Sequence, residues 1–151
     1  MPEPLFDSRT PRLELPLLFA GQAQKEGFVN EIAARLDALL FLAVEGESNA
    51  PPANPTDGQS WLIGNAPDGA WTGHAGEIAS FQSGNWIFTP PILGMKMYNK
   101  VNGQEILYRN GWSAAARPAM PSGGTTIDSE SRAAISAIIS ALATAGIVPV
   151  T

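Results

Sequence analysis

His74 is the only histidine in this 151-residue sequence, and there is no cysteine. It lies in Trp71-Thr-Gly-His-Ala-Gly76, a Gly-rich stretch where a ring nitrogen ordinarily serves a loop. A zinc set needs further His or Cys ligands, and none exists to complete one. A hydrolytic triad would take His74 as base and Ser80 or Ser83 as nucleophile, but neither serine stands in a nucleophile-elbow pattern. Paired carboxylates for glycoside hydrolysis would come from Asp57, Asp68, Glu77 and Glu105. Asp57 and Asp68 directly precede glycines, as turn residues do. Glu77 and Glu105 alternate with apolar neighbours, which is the pattern of a solvated strand face. Neither a G-x-G-x-x-G stretch after a strand nor a Walker sequence appears. The expectation is a protein that is not an enzyme and uses no cofactor and no metal. Four tryptophans remain: Trp61, Trp71, Trp86 and Trp112. All stand at strand ends beside turns and read first as packing pillars; Trp71 and Trp86 are the candidates for stacking on sugar rings.

Composition narrows the partners. The net charge is −5 and the nine basic residues are scattered, against what a phosphate-binding surface requires. Charged residues make up 15% of the chain, low against about a quarter in ordinary soluble domains. A surface so poor in charge suits a subunit that hides much of itself against neighbours. Met1 to Arg12 lacks the pattern of a signal peptide, and the longest apolar run, Ala38 to Val44, is far shorter than a membrane helix of ~20 residues. Synthesis in the cytoplasm, with neither nucleic acid nor membrane as partner, is expected.

The elements that must position these residues read as an α+β fold: a small antiparallel β-sheet or barrel domain, an N-terminal helix and a C-terminal oligomerising helix. Residues 1–21 form an extended arm, held open by Pro4, Pro11 and Pro16 and too apolar at Leu13, Leu15, Leu17 and Leu18 to stand free. Residues 22–45 carry an amphipathic helix with Phe28, Ile32, Leu36, Leu39, Leu40 and Ala43 on one face, and Arg35 and Asp37 on the other. Asn30 is the candidate cap of its main part. Within 55–113 short strands alternate with turns, of which Asn102-Gly103 is the strongest hairpin signal. A weak repeat is visible there. Phe81-Gln-Ser-Gly-Asn-Trp86 and Tyr108-Arg-Asn-Gly-Trp112 each place two aromatic residues about a tight turn.

Residues 114–125 are a linker by composition, and 126–151 hold the cleanest helix. Asp128 is placed to cap it, Glu130 to favour its first turn, and Gly146 to end it. Ile135, Ile138, Leu142 and Ala145 form a narrow seam with Ile139 beside it. Isoleucine at both seam positions favours three or more helices. The seam must be covered by its own domain or by copies of itself, and the preceding linker favours the copies.

Leu15-Pro-Leu-Leu-Phe-Ala-Gly-Gln-Ala-Gln-Lys25, Asn30-Glu31 and Arg35-Leu-Asp-Ala38 resemble the opening of a family of unknown-function proteins of alphaproteobacterial prophages and gene transfer agents. Pro55-Thr-Asp-Gly58, Trp61-Leu-Ile-Gly64, Gly69 to Gly76, Gly84-Asn-Trp-Ile-Phe88 and Pro91-Ile-Leu-Gly94 extend the likeness, which covers Leu15 to Trp112. The resemblance implies a virion accessory subunit, a head-spike or fibre base joining the capsid to a host-attachment adhesin. It implies partners among capsid or other virion proteins, and it carries no catalytic residue. On this reading the chain is a homo-oligomer, a trimer or higher, whose copies bury Leu13, Leu15, Leu17 and Phe19 of the arm with Ile135, Ile138 and Leu142 of the seam. The alternative is a carbohydrate-binding module or tail-fibre component that recognises bacterial surface polysaccharide.

Overall fold

The computed structural model of the chain describes residues 25–150. In chain order these are α1 (Lys25–Leu39), β1 (Ala43–Val44), β2 (Glu47–Ser48), β3 (Ser60–Ile63), a 3-10 turn at Gly69–Trp71, β4 (Ile78–Gln82), β5 (Asn85–Thr89), β6 (Lys96–Asn99), β7 (Gln104–Tyr108), β8 (Trp112–Ala114) and α2 (Ser129–Thr144). The fold is α+β, as expected. Its strands form two mixed sheets of four, ordered β1-β6-β7-β8 and β2-β3-β4-β5.

Both sheets are built alike. In each, a two-residue strand runs parallel to the first strand of an antiparallel meander, β1 beside β6 and β2 beside β3. The expectation of a purely antiparallel domain is thereby corrected at these two edges. The second hairpins, β4–β5 and β7–β8, occupy corresponding places, and they contain the aromatic repeat: Phe81 pairs with Trp86 and Tyr108 with Trp112. Ring centroids lie 4.9 and 5.2 Å apart, within the usual range for aromatic pairs.

The stretch from Leu42 to Ser48 serves both sheets. Leu42 and Val44 accept from the Tyr98 and Lys100 amides at 2.9 and 3.0 Å. Gly46 and Ser48 accept from Leu62 and Gly64, while the Glu45 amide donates to Ser60. Two residues, Glu45 and Gly46, separate β1 from β2. Here the expected helix over 22–45 stops short, at Leu39. Phe41 turns the chain with a φ of 53°, and Leu42 and Val44 enter the core at strand spacing. An apolar run this short has no period that tells helix from strand. Asn30 lies inside α1 and does not begin its main part. Arg35, placed by periodicity on the outer face, bonds Glu31 at 3.1 Å and reaches the Phe88 carbonyl of β5 at 3.5 Å, with its side chain only 12% exposed.

Side chains of both sheets meet in one core: Val44, Met97 and Ile106 from one, Leu62 and Ile78 from the other, with Leu42. Two hydroxyls on that face satisfy each other, Ser60 and Ser80 at 2.8 Å. The opposite face of the second sheet carries another cluster, Ile63, Trp71 and Ala79 with Trp61, Trp86 and Phe88 around them. Among the described residues, no helix is long and apolar enough to cross a membrane.

Gly46 is the residue on which the crossing between sheets turns. Its φ is +155° and a Cβ there would lie 3.0 Å from Val101 Cγ2. Strained backbone of this kind costs about 1–3 kcal/mol. Gly46→Ala should therefore lower the unfolding free energy by about that amount in urea denaturation, and a fully stable variant would show that the crossing tolerates a side chain.

Candidate functional site

Each group that could do chemistry is engaged by a structural partner, and His74 and Glu77 engage each other. His74 stacks on the Phe88 ring at 3.7 Å and 7°, and its Nδ1 lies 2.9 Å from Glu77 Oε2. Asp57 accepts from the Ser83 amide, holding Ser83 at a φ of 50° in the two-residue turn of the β4–β5 hairpin. Asp68 accepts from the Gly69 amide and caps the 3-10 turn. Glu105 pairs with Lys96 at 3.1 Å across β6 and β7. Ser80 is buried and bonded to Ser60. Among the described residues, no three His, Asp or Glu side chains are grouped to hold a metal ion.

The tryptophans are packing pillars. Trp71 is completely buried, with Trp61 and Trp86 at centroid distances of 6.4 and 5.1 Å. It offers no ring face to a sugar, which corrects its candidacy for stacking; Trp86 is half-buried over it. The Trp71 Nε1–H has no hydrogen-bond acceptor among the described residues. Trp86 lies nearly perpendicular to it at 85°, an arrangement in which ring edge meets ring face.

The junction of the sheets forms a groove of about 480 Å³ that sequence reasoning missed. Glu47, Asn65 and Glu77 supply its polar wall, and Tyr108 and Trp112 its aromatic one. Trp112 Nε1 donates to the Gly76 carbonyl at 2.9 Å, fixing the β7–β8 hairpin of one sheet against the β4 approach of the other. Glu47 sits on a two-residue strand, too short to leave a period in the sequence.

α2 presents the other candidate surface. Asp128 caps it through the Ser131 amide and hydroxyl, both at 2.8 Å. At its end Gly146, with a φ of +70°, donates to Ala143 and Ile147 donates to Leu142. That pair of bonds is a Schellman motif. The terminus is docked: the Gly146 carbonyl accepts from the Glu105 amide, and Arg117 reaches the carbonyls of Pro149 and Val150. The side turned inward is Ile139 and Ala143, followed by Val148, all buried. Of the expected seam, Ile135 and Ile138 are 41% and 58% exposed and Leu142 is half-buried. Exposed Met120 and Ile127 precede the helix and exposed Ile147 follows it. No charged residue occurs from Ala133 to Thr144. A helix with one face buried ordinarily carries charge on the other. The remaining expected interface residues, Leu13, Leu15, Leu17 and Phe19, lie outside the described residues.

A family model described as a protein of unknown function, DUF2793, matches residues 29–113. The match runs from within α1 into β8 and leaves α2 outside it. No curated protein matches the chain.

The cap of α2 carries a pH dependence. Its backbone bond from Ser131, and then the Ser131 hydroxyl, hold the Asp128 carboxyl below the ordinary carboxylate range. A depressed pKa contributes stability above the unfolded value and loses it as pH falls through the folded one. Helicity should thus decline on acidification below the ordinary carboxylate range. Asp128→Asn, an equally good cap without a titrating group, should flatten that part of the circular-dichroism titration; an unchanged profile would place its origin elsewhere.

Proposed function

The chain belongs to the DUF2793 family of proteins of unknown function, and from that premise we propose that it is a non-catalytic structural subunit of a phage-like particle that assembles through α2. The observation that carries this reading is the outward side of that helix. Ile135 and Ile138 stand exposed on a stretch without charge, although the helix already docks through Ile139 and Ala143. Exposed apolar surface of this kind belongs to an interface. Isoleucine at both seam positions favours three or more copies about an axis. The likeness of Leu15 to Trp112 to proteins of prophages and gene transfer agents supports a place in a virion, as a head-spike or fibre base between capsid and adhesin.

A second reading, direct recognition of bacterial surface polysaccharide, is favoured by one observation. The groove between the sheets sets carboxylates beside aromatic rings, groups that accept hydrogen bonds from sugar hydroxyls and stack on their apolar faces.

Ile138→Asp should convert the purified protein to monomers by light scattering while its circular dichroism is retained, since Ile138 is exposed. An unchanged mass would reject the α2 interface. For the second reading, Glu47→Ala should abolish retention of the protein on immobilised capsule polysaccharide. The parent failing to be retained, or the variant binding equally well, would remove the groove from consideration.

A further inference from the structure

Two Asn-Gly pairs stand in the turns of the same sheet, and the structure treats them differently. Asn102-Gly103 joins β6 to β7, and there the Gly103 amide donates to the Asn99 carbonyl at 2.9 Å. The buried Asn99 also holds the Val101 and Asn102 amides through its Oδ1, at 2.9 and 3.4 Å. That turn is locked on every side where its backbone could react. Asn110-Gly111 joins β7 to β8, and both of its residues are exposed. Gly111 accepts from the Arg109 amide at 3.1 Å, but its own N–H donates to no described residue.

We propose that Asn110-Gly111 is a site of spontaneous deamidation and that Asn102-Gly103 is protected from it. The Gly111 nitrogen attacks Cγ of Asn110, the new C–N bond closes a succinimide, and the side-chain amide leaves as ammonia with the proton lost by Gly111. Water then opens either imide C–N bond and leaves aspartate or isoaspartate, so that carboxamide plus water becomes carboxylate plus ammonium. A nitrogen already committed to a hydrogen bond must first open locally to react. Gly111 has no such bond to break among the described residues, and without a Cβ it leaves the approach uncrowded.

The product alters the molecule beside the groove. A new negative charge joins the hairpin whose Gly111 and Trp112 line that groove with Glu47 and Glu77. The isoaspartate form also lengthens the backbone between Tyr108 and Trp112, whose rings now sit 5.2 Å apart. Ageing therefore makes the groove region more acidic and loosens the aromatic pair on its wall.

The full-length protein, incubated at physiological temperature in mildly alkaline buffer, should be digested at intervals and its peptides followed by mass spectrometry, with Asn110→Asp as the chromatographic standard. The peptide containing Asn110 should gain one mass unit and split into two isomers. The peptide containing Asn102 should convert slower by about tenfold or more in the folded protein, because its amide must open first. In urea the two rates should converge. Equal rates in the folded protein, conversion of Asn102 ahead of Asn110, or no conversion of Asn110 under native conditions would each overturn the proposal.

Discussion

One extended stretch, Leu42 to Ser48, ties the molecule together by hydrogen-bonding both sheets within a few residues. Neither short strand would persist alone, because a two-residue pairing recovers too little against the entropy of ordering it. Together they are held by Val44, fully buried between the sheets, and by the Lys100–Glu45 ion pair at 2.7 Å over the crossing. The relative placement of the sheets follows from that stitch, and so does the groove at their junction. Trp112, bonded to Gly76 from the other sheet, adds a second tie.

The two sheets solve one structural problem in the same way. Each starts with a parallel edge and ends in a hairpin braced by an aromatic pair. The second sheet adds a layer that the first does not have, the cluster of Trp61, Trp71 and Trp86 beneath its outer side. That layer takes in three of the four tryptophans and, through Phe88, the ring of His74. Residues that look reactive in a one-dimensional reading are here the means by which loops are held on a sheet.

α2 divides its apolar residues between two duties. Ile139 and Ala143, four apart, fasten it to its own chain, while Ile138 faces outward and Ile135, four residues before Ile139, is 41% exposed. A seam written at steps of three and four cannot disclose which side is taken by the parent domain, because the neighbouring stripes differ by one residue, about a quarter-turn of helix. The cap at Asp128 and the turn at Gly146 set where the helix begins and ends, and the docking of Gly146 on Glu105 sets which stripe remains outside.

Features written within a few residues were legible in advance: the cap and terminator of α2, the hairpin at Asn102-Gly103, the aromatic pairs about the Ser83-Gly84 and Asn110-Gly111 turns, and the α+β class. Their determinants are local, a side chain reaching its own backbone or a glycine tolerating positive φ. The division of Ala38–Val44 between helix and strand was not legible, nor were the parallel edges, the inward stripe of α2 or the meeting of Glu47 with Glu77 in one groove. Each depends on partners far along the chain: Ala43 opposite Tyr98, Glu47 opposite Leu62, Gly146 against Glu105. Those contacts stabilise only once the core has closed, so the long-range register of the folded chain decides them and local periodicity does not.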